Sequence, residues 1–447
     1  MLVRLYLALL IALSLAACNG PSRPITPPVQ DGGVNDQRRP NATTPIRHVV
    51  IIIQENRTVD NLFNGFPGAD TVRTGRTSEG HTVALRPIHL DATVLVTHGH
   101  VTFLTEYDAG KVDGFNLIKT GCSHHSVCKP TAYGYVPKSD VEPYWEMAHE
   151  YTLADHLFQT NQGPSFPAHQ YLVSGTSTIA NDSMLRASEN AASPKGKGTG
   201  GCDSPAGSHV LVINPAGKQR SSVYPCFDRL SLMAEANRAS VTWRYYQAIK
   251  GAGTWNAPDA LRGIRYGRFY DNVVAPSKRI LTDVASGDLA DITWVTPTLH
   301  ESDHGGENNG TGPSWVASVV NAIGESSYWN STAIFVVWDD WGGWYDHVPP
   351  KEENSYELSF RVPLLVISPY AKPHYVSHVP HEFGSILKFA EETFGLPSMK
   401  TTDERSDDLS DCFDFHSRPH AFQKIPAPYP PGYFLRQPPD GESPDDD

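Results

Sequence analysis

Two pairs of oxygen-bearing side chains in this sequence could together hold a cation. Asp339 and Asp340 close the run STAIFVVWDD at residues 331–340. Two carboxylates so close repel each other unless a cation or a shared proton offsets the charge. Glu55 and Asn56 close a second run, HVVIIIQEN, at residues 48–56. A carboxylate beside an amide carbonyl is a fitting donor set for a hard divalent ion. Either pair alone also fits an ordinary polar turn. Two such pairs, each ending an apolar run, favour one divalent-metal centre, with the ion left open by the donor types.

A serine and several histidines could do chemistry beside such a centre. Residues 161–177 read NQGPSFPAHQYLVSGTS. Ser165 follows Gly163-Pro164 and precedes Pro167 and an apolar helical pattern, which puts it at or just before a helix N-terminus. There the helix dipole and free N–H groups favour a bound phosphate. A serine hydroxyl becomes a nucleophile at neutral pH only when a base or a metal activates it. The same position also suits a simple helix N-cap. Among 19 histidines, His98 and His100 in THGH, His304 in ESDHGG, His347 in YDHV and His381 in VPHEF are the candidates. Each could ligate metal, bind phosphate oxygens or protonate a leaving group, or be a hydrogen-bonded structural residue.

These side chains need a frame that brings strand ends together. Runs at residues 49–53, 241–246, 291–295, 333–338 and 362–368 read as strands, and helical patterns occupy 314–323 and 382–394. Uniformly apolar strands are covered on both faces. The alternation predicts an α/β domain: a central, mostly parallel sheet flanked by helices on both faces, with loop insertions. In open α/β sheets ligands bind beyond the carboxyl ends of the strands, where both oxygen-bearing pairs fall.

Residues 1–17 read as a bacterial secretion signal, with Arg4 before an apolar core too short to span a bilayer. Leu15-Ala16-Ala17-Cys18 resembles a lipobox, which implies cleavage before Cys18 and a lipid anchor on its thiol; an ordinary signal peptide is the alternative. Residues 18–44 read as a flexible tether and 438–447 as a disordered acidic tail. Between them, residues 45–437 suffice for one large domain, with an insertion at about 180–226 rich in Gly, Ser, Asn and Lys. The chain is thus expected to be exported and membrane-anchored, in the periplasm or at the cell surface. A net charge of −13 argues against nucleic acid as a partner. It does not exclude a phosphorylated substrate, because local charge can invert the global sign. Six cysteines in an exported chain suggest disulfides. Local pairing would join Cys122 to Cys128 and Cys202 to Cys226, leaving Cys412. A zinc site of Cys122, His124, His125 and Cys128 is the alternative for the first pair.

Taken together, these segments resemble the phosphoesterase family that contains bacterial phospholipases C and acid phosphatase A type enzymes, within the alkaline phosphatase superfamily. The resemblance is carried by HVVIIIQENRTVDNLF, GKVDGF, LADHLFQTNQGPSFPAHQYLVSG, ESDHGG, WNSTAIFVVWDDWGGWYDHVPP, RVPLLVISPYAK and HEFGSILKFAEETFGLP, in the family's order. It implies an alkaline phosphatase-like fold and one divalent metal held by Glu55, Asn56, Ser165, Asp339 and Asp340. It places Ser165 at the family's nucleophile and His98, His304 and His381 at its active-site histidines. His347 is a further candidate, and His100 could replace His98. The implied activity is metal-dependent hydrolysis of phosphoric esters through a phosphoserine, on a phosphorylated small molecule or a phospholipid. The superfamily's frequent use of zinc adds that ion to Ca2+, Mg2+ and Mn2+. The alternative is a non-catalytic cell-surface binding lipoprotein on a hydrolase fold. A formylglycine motif of the sulfatase kind is absent near Ser165.

Overall fold

A computed structural model describes residues 44–118, 120–122, 126–127, 131–194, 199–306 and 308–439. Cys18, the tether up to residue 43, the acidic tail from residue 440 and the Cys122–Cys128 pairing lie outside the described residues. Nine strands form the central sheet: β1 (His48–Gln54), β2 (Thr152–Phe158), β3 (Trp243–Tyr246), β4 (Val273–Val274), β5 (Ile292–Val295), β6 (Thr332–Trp338), β7 (Arg361–Ile367), β8 (Tyr375–Ser377) and β9 (His381–Glu382). Their order is β4-β3-β5-β1-β6-β7-β2-β8, with β9 also on β2. Neighbours pair in parallel except at β7, which runs against β6 and β2. Every residue of β6 and β7 is buried, and so is all of β1 except His48. Successive strand side chains point to opposite faces, so full burial means that both faces are covered. Trp315 and Val319 of the helix Gly312–Gly324 and Ile386 and Leu387 of the helix Phe383–Phe394 share the sheet's core. An α/β architecture with a mostly parallel sheet is therefore what the chain adopts.

This topology decides where chemistry can occur. β1 and β6 are parallel neighbours in register, with Gln54 opposite Trp338. Glu55-Asn56 and Asp339-Asp340 follow directly, so the two pairs leave the sheet side by side. β2 runs the same way as β6, because β7 is reversed against both. Its carboxyl end therefore lies on the same edge and, after the earlier helices α1 (Val59–Leu62), α2 (His100–Tyr107) and α3 (Glu142–Glu150), feeds helix α4 (Ser165–Ser174) through residues 159–164. The sequence does not flag β2 as a strand, because Asp155 and His156 interrupt its apolar run. Asp155 is accommodated by the Asp70 N–H at 2.7 Å and by His156 and His378 at 2.7 and 2.8 Å.

Arg186–Ala187, Val210–Ile213 and Gln219–Val223, within residues 180–226, form a small antiparallel sheet. Cys202 and Cys226 are joined, matching their expected local pairing, and Cys412 is a buried free thiol. No helix among the described residues is long and apolar enough to cross a membrane.

Candidate active site

Ser165 is the first residue of α4, and Pro164 is the N-cap. The serine hydroxyl therefore does not cap the helix. It lies 3.1 Å from Asp340 Oδ2 and 3.4 Å from Glu55 Oε2, two alternative acceptors for its single proton. The turn before it is held by the Gln159 and Asn161 side-chain amides, which donate to the Gly163 carbonyl at 2.7 and 2.9 Å. Glu55, Asn56, Ser165, Asp339 and Asp340 are all buried.

Backbone N–H groups lock the two strand ends together. Asp339 Oδ1 accepts from Asn56 N at 3.1 Å and from Asp340 N at 2.7 Å, and Asp340 Oδ1 accepts from Gly342 N at 2.7 Å. Asn56 has a left-handed backbone, with φ +61°, which a non-glycine residue adopts at a cost. Gly342 has φ +62°, and a Cβ there would fall 2.3 Å from the Asn56 carbonyl oxygen. Only glycine combines that φ with so close an approach. Gly342→Ala is thus expected to displace Asn56 and lower bound metal and turnover together, read by metal analysis and initial rates on the same preparation.

His98 belongs to this group. Its Nδ1 donates to the Val96 carbonyl at 2.9 Å, a contact that a carbonyl can only accept. Its Nε2 lies 3.2 Å from Asn56 Nδ2 and 3.8 Å from Asp340 Oδ2. The Asn56 amide nitrogen thus faces His98, and its buried Oδ1 meets no hydrogen-bond donor of the protein. His100 instead turns its Nδ1 to the Gln162 carbonyl at 2.8 Å, and burial lowers its pKa. The His304 ring lies 6.1 Å from that of His98, centroid to centroid. Behind it Asp303 is buried and receives hydrogen bonds from the Tyr144 hydroxyl and the Trp338 indole, both at 2.9 Å. Burial outweighs the nearby Arg57 charge and pushes the Asp303 carboxyl up to about 6.

His169 is a site residue that the motif reading misses. It lies four residues after Ser165, one turn along α4 on the same face. Its Nε2 is 3.0 Å from Glu55 Oε1 and 3.6 Å from Asp339 Oδ2. The spacing was the available signal. Trp255 stacks on the ring at 6.3 Å.

The structure does not bring His347 or His381 into this group. The strand-end turn carries His347 to Asp60, with Nδ1–Oδ2 at 2.6 Å, and to Asp70, with Nε2–Oδ1 at 3.2 Å. Burial alone would lower its pKa, but the Asp60 hydrogen bond and charge outweigh burial and raise it. His381 lies on β9, with Nδ1 2.8 Å from Asp407 and Nε2 3.6 Å from Asp411. Both are held by carboxylates outside the group of Glu55, Asn56, Asp339 and Asp340.

The donors fit a divalent cation. Glu55, His169 and Asp339 each present a ligand atom, all within 4.8 Å of one another. Asp339 Oδ2 and Asn56 Oδ1 are buried without a hydrogen bond. Buried polar atoms are normally satisfied, and three buried carboxylates call for positive charge. Oxygen donors with one imidazole suit zinc as well as harder ions.

A phosphoesterase family model matches residues 46–397. The chain is 23% identical to hemolytic phospholipase C of Pseudomonas aeruginosa, over 88% of this chain and 58% of that protein. It is 24% identical to phospholipase C A of Mycobacterium tuberculosis, over 86% of this chain and 80% of that protein. It thus spans about three fifths of the length of the Pseudomonas and Burkholderia relatives it matches, at 58%, 62% and 58%. A solved protein of the alkaline phosphatase superfamily from Vibrio parahaemolyticus aligns with a TM-score of 0.37 and 9% identity, over 83% of this chain and 72% of that one. With most of its length matched, from β1 past the helix Phe383–Phe394, the chain belongs to the phosphoesterase family.

Proposed function

We propose that this chain hydrolyses phosphoric esters through Ser165 with the help of one divalent metal ion. The observation that carries the reading is the Ser165 hydroxyl, set at the start of α4 against Asp340 and Glu55 rather than used as a cap. Glu55, Asn56, Asp339, Asp340 and His169 would hold the ion, with Ser165 beside them. A bound divalent ion would offset the carboxylate charge and lower the pKa of the serine hydroxyl.

The protein's own groups account for the rest. The Ser165 proton leaves along its contact to Asp340 as Oγ attacks phosphorus. The Ser165 N–H at the start of α4 favours the phosphoryl oxygens, since Phe166 donates to Asn190 and Pro167 has no N–H. His98 and His304 line the same site, and His98 holds the Asn56 amide through its Nε2. Water then releases phosphate from the serine. The binding-protein alternative calls for a lost nucleophile or ligand, and the sequence keeps Ser165, Glu55, Asn56, Asp339 and Asp340.

The phospholipase C relatives support a phospholipid or a smaller phosphorylated compound as substrate. Assays with p-nitrophenyl phosphate, bis-p-nitrophenyl phosphate and phosphatidylcholine, with and without chelator, test both class and metal dependence. Loss of all turnover in chelator, restored by a divalent ion, is expected. Full turnover in chelator would contradict the metal reading.

Export and a lipid anchor at Cys18 are part of the same proposal, motivated by the apolar segment before LAAC. Cys18→Ala is expected to release the protein from membranes or block its processing, read by fractionation. An unchanged membrane fraction with normal processing would refute the anchor.

A further inference from the structure

The insertion after α4 comes back to the site. Its Glu189 lines a cavity of about 340 Å3 with Leu95, Thr97, His98, Pro164 and Asn190. Pro164 caps α4, so this cavity opens at the helix end that carries Ser165. A larger cavity of about 560 Å3 lies at the other end of α4, around Gly175, Thr401 and Arg405, away from these residues. Asn190 ties the insertion to the near end by accepting the Phe166 N–H at 2.9 Å.

Glu189 is partly buried and asymmetrically bonded. Oε1 accepts the His100 N–H at 3.2 Å and the Gln219 side-chain amide at 2.7 Å. Oε2 lies against Gly99, where a Cβ would approach within 2.8 Å. A proton on this carboxyl must sit on Oε2, because Oε1 already faces two hydrogens. Burial raises the carboxyl above the usual range, against the lowering by Gln219, His100 and the nearby His98. His98 is poorly set to donate a proton instead: its N–H is engaged by Val96 and its Nε2 by the Asn56 amide.

We propose that Glu189 is the general acid of this site and gives its Oε2 proton to the oxygen of the departing alcohol. This rests on the serine reading above. In the first step the Ser165 Oγ–phosphorus bond forms and the phosphorus–alcohol bond breaks. The serine proton goes to Asp340, and the Glu189 proton goes to the alcohol. In the second step water supplies the new oxygen on phosphorus and its proton to Glu189. Ser165 Oγ departs and regains its proton from Asp340. One ester and one water become one alcohol and one phosphate, and each side chain is restored.

A general acid matters most for a poor leaving group. The test compares p-nitrophenyl and butyl esters, as monoesters and as methyl diesters, in the native enzyme and in Glu189→Gln. The variant is expected to lose about 100-fold in kcat/KM on butyl esters and less than about 5-fold on p-nitrophenyl esters. Melting temperature and metal content should be unchanged. An equal loss on both esters, or no loss on butyl esters, overturns the proposal. Glu189→Asp keeps a carboxyl one methylene shorter and carries the same comparison if the glutamine variant does not fold. The ratio is read whichever group attacks phosphorus. A missing phosphoserine at Ser165 would refute the serine reading and leave the ratio to decide on Glu189.

Discussion

Ser165→Ala is expected to lower phosphoester turnover by roughly three orders of magnitude or more, because the covalent route is lost with the hydroxyl. The fold should survive. Pro164, not Ser165, is the N-cap of α4, and the serine makes no capping hydrogen bond. What it loses is a contact with Asp340 or Glu55, a term of about 1–3 kcal/mol. Metal content should persist at least in part, since Glu55, His169 and Asp339 remain. Near-normal turnover in this variant would make Ser165 a structural residue and a metal-activated water the nucleophile.

Asp339→Asn and Asp340→Asn are expected to reduce bound metal well below the native stoichiometry and to lower turnover about 100-fold or more. Asparagine keeps the oxygen that accepts the Asn56, Asp340 or Gly342 N–H. The chain should therefore fold. The metal-free forms decide the issue. If the carboxylates serve a cation, removing one charge from the buried group relieves repulsion and raises the melting temperature of the stripped protein. If they only stabilise a turn, the same change lowers it, and metal content is untouched.

The strand ends were legible because β1 and β6 are unbroken apolar runs that stop on charged residues. That pattern has few readings in a sheet covered on both faces. β2 was hidden by Asp155 and His156, whose partners come from distant loops at Asp70 and His378. His169 was readable only from its four-residue spacing to Ser165, since its contacts to Glu55 and Asp339 are long-range. His347 looked like a site residue because it follows Asp339-Asp340 closely, yet the turn through Gly342-Gly343 directs it to Asp60. Glu189 could not be found beforehand. An insertion without periodicity gives no clue to which of its side chains returns to the site.

The most direct test of the central claim is the covalent state of Ser165 during turnover. Native enzyme is mixed with a phosphorylated substrate and a divalent ion, quenched in acid within the first turnovers, digested and analysed by mass spectrometry. The account predicts one phosphoryl group on the peptide containing Ser165, absent from Ser165→Ala and from chelated enzyme. Steady turnover with no phosphate on Ser165, or phosphate on another residue, would contradict it.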